Sequence, residues 1–221
     1  MTPVDDDAPP ASAAESLALI RQEQAKAARV VGLNPLLYYV PWGLAWFIGF
    51  GLLFLRYGPG GKVFVDLPDW LPLASLFVLM ALAMLSTILV SAVRGRGLEG
   101  RSSWQGSAYG FSWFFAFAGV GTTMSHFAKL LPEAERGLLW ASASVGLVGA
   151  MYMCGAAIWL SRDMFIFGAW LTLINIAGVL AGAGWHSLII SLGGGGGLIL
   201  LGLLFQFRGR AVRNEVEGPP A

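Results

Sequence analysis

The chain has 221 residues and a net charge of +1. Charged residues make up 12%, about half the ~25% of a soluble domain, while 56% are hydrophobic and a further 30 are glycine. So few charges cannot cover the surface of a water-soluble fold of this size. This excludes a soluble enzyme, a disordered chain and a nucleic-acid binder, and leaves a polytopic all-α membrane protein. The single cysteine, Cys154, excludes an intrachain disulfide and a paired-cysteine metal site.

Residues 1–11, with Asp5, Asp6 and Asp7 among prolines and alanines, predict a disordered acidic tail. Over 12–34 a helical pattern sets Leu17, Ile20, Ala27 and Val31 on one stripe, interrupted by Gln24, until Asn34-Pro35 stops it. Two readings are open: an amphipathic helix lying on the inner leaflet, or a docking helix for a cytoplasmic protein partner. The apolar run that follows is read as an uncleaved span, because its upstream region is long and acidic and no small-residue cleavage pattern succeeds it.

A hydrocarbon core of ~30 Å needs roughly 20 apolar helical residues. Segments 36–56, 70–93, 105–128, 137–160, 164–184 and 187–207 predict six spans, a membrane domain over 36–207 and a cytoplasmic tail over 208–221. With both termini in the cytoplasm, the inner side collects ten lysines and arginines: Arg21, Lys26, Arg29, Arg94, Arg96, Arg101, Arg162, Arg208, Arg210 and Arg213. The outer side holds four: Arg56, Lys62, Lys129 and Arg136. The positive-inside asymmetry predicts a cytoplasmic-membrane protein with both ends inside. Trp42, Trp70, Trp104, Trp140, Trp159 and Trp185 fall near span edges, where amphipathic rings prefer to sit.

The first span carries Trp42-Gly43-Leu44-Ala45-Trp46-Phe47 and the third Tyr109-Gly110-Phe111-Ser112-Trp113-Phe114: aromatic, Gly, apolar, small, Trp, Phe. Phe167-Gly168-Ala169-Trp170 shortens the theme in the fifth span. These echoes predict three antiparallel helix hairpins of like orientation, forming either a pore or a solid bundle. Gly106 with Gly110, and Gly178 with Gly182, stand at the i, i+4 spacing that lets helices approach closely in lipid. The run Gly193 to Gly197 cannot be a loop, since Leu198 to Phe207 would give roughly 15 Å of helix and could not span. It predicts either tight packing against the fifth span or a locally unwound segment that binds a solute or hinges.

No Asp, Glu, Lys or Arg lies near mid-span, as proton- or ion-coupled carriers usually require. Asn175 does lie near mid-span, with Thr172 close by; its amide needs a partner, for which Ser112, Tyr152 and Thr122 are candidates. Asn175, Thr172, Ser112, Tyr152, Gly193, Gly195 and Gly197 are therefore the candidate substrate pathway, against the alternative that the polar groups only tie helices together. His126 and His186, both placed near the outer face, are interfacial histidines or, as the only candidates, metal or haem ligands. Two ligands make a poor zinc site, and no cofactor is expected. Ser125-His126 lacks an orienting acid and the glycine run lacks the Lys-Ser/Thr of a phosphate loop, so no enzyme is expected.

Ser16 to Gln24, Leu36-Leu-Tyr-Tyr-Val-Pro-Trp-Gly-Leu-Ala-Trp46 and the Gly193–Gly197 run together resemble a group of bacterial six-span proteins of about this length, often labelled only "membrane protein" or "transporter". The resemblance implies a membrane role and transfers no functional residue. The layout is also similar to that of the urea/amide channels and the HdeD-like proteins. The urea channels have acidic residues within their spans and external termini, and this sequence has neither. The expectation is a small solute channel or carrier, or a transporter accessory subunit. The alternative is a structural or signalling protein acting through its N-terminal helix. Expected partners are the lipid bilayer, a second copy of the chain, or a cytoplasmic or membrane protein, and no nucleic acid.

Overall fold

A computed structural model describes residues 35–94 and 101–217, together with Ser12, Ser16 and Leu17. The acidic tail and almost all of the 12–34 helix lie outside the described residues. Seven α-helices follow: α1 (Pro35–Arg56), α2 (Trp70–Arg94), α3 (Arg101–Phe127), α4 (Glu133–Trp159), α5 (Arg162–Ala181), α6 (Trp185–Ile189) and α7 (Gly197–Glu217). A π-helical segment, Ile190–Gly196, joins α6 to α7 without a break, and short 3₁₀ turns lie at Pro59–Gly61 and Ala128–Leu130.

The boundaries follow local chemistry. Pro35 opens α1, where its missing N–H costs nothing. Leu160 closes the α4 end in the left-handed region at φ 52°. Ser161 then caps α5, its hydroxyl accepting from the Met164 N–H at 3.4 Å, and Asp163 complements the helix dipole in the first turn. The tail expected from 208 onward is instead helical to Glu217, because the last span runs on through it.

Five stretches among the described residues are long and apolar enough to cross a membrane: Leu36–Arg56, Trp70–Val93, Glu135–Trp159, Arg162–Ala181 and Trp185–Phe207. The chain is thus compatible with a multi-pass helical membrane protein. The third expected span differs. At 27 residues α3 is roughly 40 Å long, enough to cross, but Ser102, Ser103, Gln105, Ser107, Ser112, Thr122, Thr123 and Ser125 dilute its apolar content.

The helices form a row in the order α2, α1, the α6–π–α7 stretch, α5, α4, α3. The fullest packing is between α4 and α5, then between α1 and α2; α1 also lies along the π segment and α7. The core is contributed from the middle of the row: Ala45, Trp46 and Phe50 of α1, Val145 of α4, Leu171 and Ile174 of α5, Ile190 and Leu198 of the last span. α3 stands at one end and packs against α4 only thinly, and α1 and α3 share no packed face.

Glycine decides where backbones meet. A Cβ on Gly168 would lie 2.7 Å from the Gly149 carbonyl oxygen, and one on Gly149 3.0 Å from the Gly168 carbonyl oxygen, so α4 and α5 cross on this pair. The pairs expected from i, i+4 spacing behave otherwise. Gly178 packs on His186, but Gly182 ends α5 at φ 89° with open space beside it, and Gly106 and Gly110 face nothing within 4 Å. Spacing marks a smooth helix face and does not say whether a neighbour fills it.

Candidate functional site

The buried polar groups gather where α4, α5 and α6 meet. Asn175 Nδ2 donates to the Ser142 carbonyl at 2.9 Å, and Asn175 Oδ1 lies 2.8 Å from His186 Nε2. With Nδ2 donating, Oδ1 can only accept, so His186 carries a proton on Nε2. His186 is 1% exposed and Asn175 8%. Gly178 makes room for the imidazole: a Cβ there would sit 2.7 Å from His186 Cδ2. One carbonyl, one amide and one imidazole therefore tie three helices together in a region where an unpaired polar group would be costly.

His186, at the start of the last span, is buried against α5, where the turn at Gly182–Gly184 places it. One expectation is corrected. Asn175 finds its partners in His186 and the Ser142 backbone, not in Ser112, Tyr152 or Thr122. Ser112 is exposed and donates to Ala108 O of its own helix at 2.8 Å. Tyr152 packs its ring on Phe167 and Trp113. Thr172 bonds back to Gly168 O at 2.9 Å. His126 is exposed near the end of α3 against Phe127. Among the described residues no three His, Cys, Asp or Glu side chains gather as a metal site.

A folded loop closes this end of the row. Gly184, at φ 85°, lies so close to Gly58 and Pro59 that a Cβ would sit 2.6 Å from the Gly58 carbonyl carbon and the Pro59 nitrogen, a fit that only glycine allows. Phe54 stacks on Phe64 and approaches Trp185. Arg56 is fixed to Asp69 at 2.6 Å, with Asp66 at 3.8 Å, which pins the loop between α1 and α2.

The glycine run is neither a straight α-helix nor an unwound strand. It is the π-helical segment Ile190–Gly196, whose wider turn still satisfies backbone groups within the helix. Its closest neighbour is α1, where tight packing against the fifth span was expected. Gly195 faces the Phe47 and Gly43 backbone, and a Cβ on Gly43 would meet Ile199 at 2.7 Å and the Gly195 carbonyl at 2.9 Å. Ser191 Oγ donates to the Phe47 carbonyl at 2.7 Å. On the α5 side, Gly193 faces Ile174 and its carbonyl accepts from the Trp170 indole at 3.0 Å, while Gly197 lies beside Trp170.

The seven candidate pathway residues thus do not converge on one passage. Asn175 joins the polar strut, Gly193 and Gly197 border an open apolar groove, Gly195 is packed on α1, Thr172 is turned back on its own helix, Tyr152 packs on Phe167 and Trp113, and Ser112 is exposed on α3. Sequence reasoning missed the roles of His186, Ser142, Gly149 and Gly43. The signal for His186 was available in part: it and Asn175 are two polar side chains within neighbouring apolar helices, each in need of a partner.

No protein-family model, curated protein or solved structure matches the chain.

Proposed function

We propose that this protein is an accessory subunit of a membrane transporter, crossing the cytoplasmic membrane six times with both termini inside. One observation carries the reading. α3, a 27-residue helix that is not among the five stretches apolar enough to cross a membrane, is packed on one side only, by α4. Gly106, Gly110 and Gly121 share a face of α3, and a side chain added at any of them would meet nothing within 4 Å. A smooth, partly polar helix face of this kind is poorly solvated by acyl chains and suits a second protein helix. Counting α3 as a crossing supports the inside placement of both ends through the ten-to-four distribution of basic residues.

The interior supports a scaffold over an autonomous carrier. The Asn175–His186–Ser142 contacts use the polar groups for helix-to-helix ties, and the glycine segment is occupied by α1. The three-hairpin plan is part of this reading and rests on the packing of α1 on α2, while the fullest packing joins α4 to α5, across two hairpins. In two of the three hairpins the leading aromatic of the motif bonds the following helix: Trp42 Nε1 donates to Thr87 at 3.0 Å and Tyr109 OH to the Met151 carbonyl at 2.7 Å.

The test is native mass spectrometry of the complex gently extracted from its own membranes, followed by reconstitution of the chain alone. The expected result is a retained transporter subunit that Gly110→Leu releases, and no solute flux from the lone chain. Flux through the lone chain that Asn175→Leu abolishes would overturn the reading.

A further inference from the structure

Between α5 and the last span runs a continuous apolar groove, open on the outside of the row. Its larger part, about 290 Å³, is lined by Phe167, Trp170, Gly193, Gly197 and Leu201. A second part of about 130 Å³ shares Phe167, Leu201 and Leu204 with the first and ends at Asp163. From Leu192 to Leu204 the last span advances roughly 18 Å, close to the depth of one leaflet of a ~30 Å hydrocarbon core. The floor is low because Gly193 and Gly197 have no side chains, and Trp170 is held as a wall by its bond to the Gly193 carbonyl.

The two ends differ in chemistry. The end at Gly193 and Gly197 is lined by apolar residues and Trp170. The mouth is lined by Asp163. Arg162 precedes it in the first turn of α5; both are exposed, and neither makes an ion pair among the described residues. Tyr39 of α1 packs its ring on Phe205, which also lines the mouth, at 5.7 Å. An apolar channel of one-leaflet depth that ends at an exposed carboxylate, with an arginine one residue before it in the chain, fits a phospholipid whose head group carries both charges.

We propose that this groove binds one phosphatidylethanolamine molecule, with an acyl chain along Gly193 and Gly197, the ammonium on Asp163 and the phosphate on Arg162. Charge complementarity selects the lipid. A head group bearing only a phosphate would place its negative charge against the Asp163 carboxylate. A choline head group has no N–H to donate to that carboxylate, whereas a primary ammonium makes a charge-assisted hydrogen bond. The inference is independent of the accessory role, since it concerns the opposite flank of α5 from the one facing α4.

The test titrates the delipidated full-length protein in detergent with phosphatidylethanolamine, phosphatidylcholine and phosphatidylglycerol of identical chains, and counts bound lipid by native mass spectrometry. The expected result is retention of one phosphatidylethanolamine at about tenfold lower concentration than the other two, the value of one charge-assisted bond. Asp163→Asn removes the preference and leaves chain binding. Gly197→Leu, or Leu204→Trp should the first variant fail to fold, lowers retention of all three lipids. Equal or stronger retention of phosphatidylglycerol, a preference that survives Asp163→Asn, or no retention of any lipid would overturn the proposal.

Discussion

α1 and α3 carry the same six-residue motif in opposite surroundings. In α1, Ala45 is fully buried, Trp46 is 5% exposed, and Gly43 receives the last span so closely that no side chain fits. In α3, the matching Ser112 is exposed, Trp113 is half-buried against Tyr109 and Tyr152, and the space beside Gly110 is empty. The leading aromatic does the same work in both, bonding the next helix of its hairpin. The glycine does not. The comparison teaches that this motif carries a bond to the next helix at its aromatic and a bare position at its glycine, and that the chain fills the bare position only in α1.

The comparison breaks hardest at Gly43. A leucine there must displace Ile199 and the Gly195 backbone, and the expected cost exceeds about 3 kcal/mol. The measurement is the yield of monodisperse protein by size-exclusion chromatography, which should collapse. Next comes the polar strut that sets the middle of the row apart from its ends. Asn175→Leu leaves His186 and the Ser142 carbonyl without their partner and should cost about 1–2 kcal/mol. Thermal unfolding of Asn175→Leu, His186→Leu and the double variant should show the double costing less than the sum, as coupled residues do.

Smaller effects test the shared half of the motif. Trp42→Phe and Tyr109→Phe each remove one interhelical hydrogen bond, and each should cost about 0.6 kcal/mol, equal within error on denaturant titration. A much larger loss at Trp42 would show that the two hairpins are not built alike. The smallest effect is expected at Gly110→Leu, within about 0.5 kcal/mol of the parent for the isolated chain, because nothing in the chain meets the new side chain.

The sequence made the helical membrane class and most element boundaries legible, because length, apolar content and caps are local properties. Leu36–Arg56 and Trp70–Val93 match the expected spans to the residue or nearly so. The order of the row was not legible, since in lipid the helices all look apolar and their neighbours are chosen by shape. Gly149 and Gly168 lie in separate helices with no shared spacing, and only the fold reveals that they meet. The strut was half legible. Asn175 announced a need for a partner, but the Ser142 carbonyl is a backbone group that every residue possesses. The glycine run was legible as unusual and not as π-helical, because its conformation depends on the α1 backbone pressed against it.

The most direct measurement places a photo-reactive residue at position 110 in one preparation and at position 77, the exposed Phe77 of α2, in another, and irradiates both in native membranes. The account predicts that position 110 forms an adduct with a transporter subunit of different mass while position 77 labels lipid. Lipid labelling alone at position 110, or an adduct of exactly doubled mass, would contradict it, the latter assigning the empty face of α3 to a second copy of this chain.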